Sequence, residues 1–98
     1  MEIQQNQISL EELREQIDSV DTLLLSCLAR RQAIVNEIAE FKRKENLPVF
    51  HPFREITLIE RRKQAAGSMG LDVSLVESVF KSILGNSRKA QTGVCRYC

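Results

Sequence analysis

Leu10, Leu13, Ile17, Val20, Leu24, Cys27, Ile34, Ile38 and Phe41 keep the three-four spacing of a helix seam, and the member of the series that breaks it is Arg31. A cation at a seam position is costly unless something anionic or strongly polar meets it. Two further cations belong with it. Lys42 follows eleven residues later, within about 20° of the same face, and Arg14 precedes Arg31 by seventeen. Arginine grips carboxylate oxygens in bidentate fashion and lysine supplies a point charge, so this set suits a small ligand with more than one carboxylate. An arginine in a seam also serves as a register device, or snorkels to water, and position by itself does not separate these roles.

Uncharged and oppositely charged partners stand elsewhere in the chain. Arg54 and Glu55 open a second helical stretch, and Ser87 and Gln91 replace apolar residues where a third helical stripe reaches its end. Singly, an Arg-Glu pair is a solvated face and a serine in a last turn is unremarkable. Together they fit a polar site.

Three helices must position these groups. Ser9 with Glu12 forms a capping box in front of the seam, which runs to about Lys44 before Asn46 and Pro48 stop it. Pro52 suits a first helical position. Phe53, Ile56 and Ile59 or Glu60 then carry a short helix that ends before Gly67 and Gly70. Asp72 caps a third helix whose inward stripe is Val76, Val79, Phe80, Ile83 and Leu84, continued by Ser87 and Gln91. Nothing reads as a strand, so the expected class is all-α, with one helical domain over residues 1–91 and a patternless tail at 92–98.

Composition narrows the function. The chain has 98 residues, 43% of them hydrophobic, no tryptophan and a net charge of +1. That is one small domain, and a near-neutral balance argues against a sequence-independent nucleic-acid binder or a membrane-surface module. No signal pattern or long apolar run appears, which predicts a soluble cytoplasmic protein. Cys27 reads as a small buried hydrophobe. Cys95 and Cys98 form a C-x-x-C, but a zinc site needs a second pair or well-spaced histidines, and His51 is far away in sequence, so no metal is expected.

The first helix is too long for its domain. Some 35 residues at 1.5 Å rise span roughly 50 Å, against a radius of gyration near 13 Å for a compact domain of about this size. A partner chain must cover the seam, and a two-fold homodimer is the simplest solution. Arg14 and Lys42 lie about 42 Å apart along one helix, too far for one metabolite. If the two-fold axis falls near Leu24 or Leu25, however, antiparallel pairing brings Arg14 of one chain beside the Arg31 to Lys42 stretch of the other.

At these residues the chain resembles a known family. Leu13-Arg14-Glu15-Gln16-Ile17-Asp18, the Ala29-Arg30-Arg31 step, Lys42, Leu47-Pro48-Val49, Arg54-Glu55, and Ser87 with Gln91 are similar to the all-helical, type II chorismate mutases, over about residues 8–91. The resemblance implies an intertwined homodimer that converts chorismate to prephenate on the route to phenylalanine and tyrosine, with no cofactor. By the same resemblance, Arg31 and Lys42 of one chain and Arg14 of the other hold the two carboxylates, with Arg54 and Ser87 assisting. Lys42 and Gln91 donate to the ether oxygen, and Glu55 accepts from the ring hydroxyl. One position departs: some family members carry an aspartate near that hydroxyl where this chain has His51, which reads equally as a helix cap or a solvent-facing residue. Two relatives of the same fold stay open, a lyase that eliminates pyruvate from isochorismate and a mutase of 4-amino-4-deoxychorismate. A non-catalytic helical regulatory or dimerisation module is the alternative from another class.

Overall fold

The computed structural model describes residues 8–92, and its regular elements are three α-helices: α1 (Leu10–Glu45), α2 (Pro52–Ser68) and α3 (Val73–Thr92). The chain divides into two compact units between Ala33 and Ile34. The first holds most of α1; the second holds its last turns with α2 and α3.

Local chemistry explains the boundaries from the start of α1 to the start of α3. At the start of α1 the Ser9 N–H donates to Glu12 Oε1 at 2.9 Å, and the Glu12 N–H donates to Ser9 Oγ at 3.0 Å. This reciprocal box satisfies donors that a helix start leaves without partners. At the other end Asn46 adopts φ 59°, so the Leu47 N–H reaches back to Lys42 O at 2.8 Å and the Asn46 N–H to Arg43 O at 3.4 Å. These two bonds make a Schellman stop with asparagine in the left-handed position. A second one closes α2, where Gly70 takes φ 73° and the Leu71 N–H donates to Ala66 O at 2.9 Å. Asp72 caps α3, its Oδ1 accepting from the Ser74 N–H at 2.9 Å.

In the second unit, α2 and α3 pack around Leu58, Ile59 and Leu84, with Phe80 against them and Ala66 also buried. Lys63 ties the pair together by reaching Glu77 across the helices at 3.6 Å, and Arg62 lies over the Phe80 ring at 5.5 Å. The Lys81 ammonium, bonded to Glu77, holds that carboxyl below its ordinary value, and Lys63 adds to the effect.

Four expectations need correction. Val79, read as part of the inward stripe of α3, is 44% exposed. α2 does not end before Gly67 but runs through it to Ser68. The stop is set by the residue that must adopt positive φ, which is Gly70; Gly67 is helical. Phe53 and Ile56 are not inward residues, being 74% and 63% exposed. The α3 contact selects the face of Ile59 and Ala66, from which Phe53 is turned by about 120°. Cys27 is exposed rather than buried, because it shares the uncovered stripe of α1. Leu10, Leu13, Ile17, Val20 and Leu24 on that stripe are 43 to 61% exposed. Cys95 and Cys98 lie outside the described residues.

Candidate active site

The end of α1 that carries Lys42 is held by hydrogen bonds from its backbone and its side chain. Lys42 is the residue whose carbonyl accepts the Schellman bond from Leu47. The reversal brings the chain back over the side chain, and the Lys42 Nζ donates to Val49 O at 2.8 Å. A second proton of the same ammonium goes to Gln91 Oε1 at 2.8 Å, joining residues 49 apart in sequence. An ammonium has three donors, so one is left for a ligand.

Gln91 is oriented by that bond. With its oxygen on Lys42, the amide nitrogen faces the other way and donates to Ser87 O at 3.3 Å, leaving the second amide hydrogen for a ligand. Ser87 itself is buried, and its hydroxyl donates to Ile83 O at 2.9 Å. Leu84, Ser87, Arg88 and Gln91 follow one face of α3 at helical spacing, so the stripe that packs the core turns polar as it leaves it.

Glu55 meets the same face one turn earlier. It stands in the first turn of α2, and its carboxylate accepts from Arg88 Nη1 in an ion pair between helices. The Arg88 guanidinium also lies over the Phe50 ring at 5.1 Å. Glu55 and Arg88 help line a groove of about 450 Å³ between α2 and α3, together with Glu60, Glu77 and Lys81. Gln91 lines a second concavity of about 320 Å³ with Asn36, Arg43 and Thr92. Each takes one expected residue, and neither is lined by Lys42.

His51 is the N-cap of α2: its Nδ1 accepts from the Arg54 N–H at 3.1 Å, and Pro52 follows at the first helical position. A ring nitrogen that accepts carries no proton, so in the neutral ring the proton sits on Nε2. The cap fixes the first turn from which the Arg54 and Glu55 side chains leave. The Arg54 side chain is exposed.

The structure thus brings Lys42, Gln91 and Ser87 together, and places Glu55 against the same end of α3. Arg14 and Arg31 belong to the first unit, where Arg14 is exposed and Arg31 half-buried. Arg88 and Phe50 were absent from the sequence-based set. The helical spacing Leu84, Arg88, Gln91 was the available signal, since it puts Arg88 beside residues already singled out. The described residues contain no cluster of three or more histidine, cysteine, aspartate or glutamate side chains placed to hold a metal, and no described helix is long and apolar enough to cross a membrane.

Residues 13–92 match the family described as chorismate mutase type II. The T-protein of Enterobacter agglomerans is 39% identical over 75 residues, 76% of this chain and 20% of that protein. The chorismate mutase of Methanocaldococcus jannaschii is 24% identical over 84% of this chain and 83% of its own length. A 4-amino-4-deoxychorismate mutase of Streptomyces venezuelae is 30% identical over 80% of this chain and 76% of its own. The chain spans about a fifth of the length of the T-proteins it matches.

Proposed function

Because the chain belongs to the chorismate mutase type II family, we propose that it is a cytoplasmic homodimeric enzyme that rearranges chorismate to prephenate in the biosynthesis of phenylalanine and tyrosine. The single observation that carries this reading is the 2.8 Å bond between the Lys42 ammonium and Gln91 Oε1, each group keeping one donor for a ligand.

The reaction is an intramolecular [3,3] shift. One C–O bond breaks as a C–C bond forms, no proton moves, and no cofactor or base takes part. What remains for a protein is to hold the enolpyruvyl side chain over the ring, and to stabilise negative charge that grows on the departing ether oxygen. Lys42 and Gln91 direct their two donors at that oxygen. The donation gains strength only as the bond breaks, which is the condition for raising kcat. Arg31, Arg54 and Ser87 of one subunit, with Lys42 and the partner subunit's Arg14, hold the two carboxylates. Ser87 takes part by rotating its hydroxyl away from Ile83 O. Glu55 accepts from the ring hydroxyl, and His51 acts by capping the turn that carries Arg54 and Glu55.

The homodimer is the cover for the apolar stripe of α1 and the means by which Arg14 reaches a pocket. The two long helices run antiparallel about an axis near Leu24 and Leu25. Incubating purified protein with chorismate tests the activity: its ultraviolet absorbance should fall and prephenate should accumulate. Release of pyruvate with an aromatic acid, or no consumption at all, would contradict it.

A further inference from the structure

Arg88 makes contacts in the second unit that the proposed chemistry does not use. Its guanidinium is held from two directions, by the Glu55 carboxylate and by the face of Phe50 at 5.1 Å. The pair is partly sheltered, with the Glu55 side chain 21% exposed and that of Arg88 38%. Glu55 is the group assigned to the ring substituent of the substrate, so whatever sits at that end meets a carboxylate whose charge is already compensated.

The two ring substituents the family handles differ in charge. A hydroxyl is neutral and donates to a carboxylate whether or not a cation stands behind it. An amine on a saturated ring carbon is protonated near neutral pH, as amines of this kind are. An uncompensated glutamate would attract that ammonium, whereas a glutamate already paired with arginine offers it no net charge and sets a like charge a few ångströms away. The other charges lining the groove do not restore the attraction, since Glu77 is engaged by Lys63 and Lys81 and Glu60 by Lys63.

Resting on the assignment of Glu55 to the ring hydroxyl, we propose that Arg88 is a specificity-determining residue: it neutralises Glu55 so that the site accepts a ring hydroxyl and rejects a ring ammonium. Rejection by an introduced charge is a common route to specificity between near-isosteric ligands. Phe50 keeps the guanidinium on Glu55 instead of in solvent.

The test is the ratio of kcat/KM for chorismate to that for 4-amino-4-deoxychorismate in the wild type, Arg88→Lys, Arg88→Gln and Arg88→Met. The wild type should prefer chorismate. Arg88→Gln and Arg88→Met, which remove the charge with and without a polar end, should move the ratio toward the amine by about tenfold, and Arg88→Lys should keep it near the wild-type value. A purely structural role would lower both rates together and leave the ratio in place, which overturns the proposal. So would a wild type that prefers the amine. Failure of the wild type to convert either compound would instead overturn the assignment of activity on which the proposal rests. Arg88→Met retains the packing of the stem, so the comparison survives if Arg88→Gln does not fold.

Discussion

In the first unit the large aliphatic residues of the α1 seam are roughly half exposed, with Val20 at 55% and Leu24 at 57%, whereas in the second unit Leu58, Ile59 and Leu84 are all 9% exposed or less. The second unit also satisfies its polar groups within the chain, through two Schellman stops, two caps and the Lys42, Gln91 and Ser87 network. The first is a helix whose apolar face is exposed in the single chain. The candidate residues divide along the same line, Arg14 and Arg31 in the open unit and Lys42, Arg54, Glu55, Ser87 and Gln91 in the closed one. Under the proposed function, the residues proposed to act on the bond all lie in the unit with the buried cluster, and two of the proposed carboxylate anchors lie in the unit with the exposed seam.

The largest effect is expected where this contrast is broken outright. Leu24→Glu changes a side chain that is 57% exposed in the single chain, a place where substitution ordinarily shifts stability by no more than about 0.5 kcal/mol. If Leu24 lies at the two-fold axis, the change buries unpaired like charges twice over. The variant should therefore sediment as a monomer, lose helical signal and show no measurable activity. A dimer of wild-type activity would mean that the seam is not the interface.

Within the closed unit, Lys42→Ala removes a donor assigned to charge present only in the transition state. It should lower kcat by about 10²–10³, the range for loss of one oxyanion donor, with a lesser change in KM. Steady-state kinetics on a variant of unchanged circular dichroism checks this. Gln91→Glu sharpens the same point with a smaller loss: the new carboxylate repels the ether oxygen when ionised and donates to it when protonated. Activity should be low at neutral pH and recover as the solution is made acidic, and a flat profile would remove Gln91 from that contact. Smallest of all is His51→Asp, which exchanges one cap for a better one. It should raise the denaturation midpoint by an amount equivalent to about 0.5–1 kcal/mol, read from urea unfolding.

The sequence made the local structure legible because each cap and stop is decided within a few residues. Ser9 with Glu12, Asp72, and Pro52 behind its cap all read correctly for that reason. Where a partner element decides, the spacing of apolar residues does not identify the buried face. Ile56 and Phe53 fit an apolar rhythm, but the face of α2 that is buried is chosen by α3. Cys27 lies on the α1 stripe, which a single chain leaves open. The Glu55 to Arg88 pair spans 33 residues, and no spacing rule connects them. The Lys42 to Gln91 bond spans 49, and its two ends were linked only through a family resemblance.

Complementation between two inactive variants tests the shared site most directly. Arg14→Ala and Lys42→Ala homodimers each carry two damaged pockets, but a mixed dimer gathers both lesions in one pocket and leaves the other whole. After co-refolding equal amounts, random assortment makes about half of the dimers mixed, so about a quarter of all pockets are intact by two-fold symmetry. Activity should return to about a quarter of the wild-type level. Activity that stays at the level of the two parents, with subunit exchange demonstrated by mass, would contradict the account: Arg14 and Lys42 would then not serve one ligand across the interface.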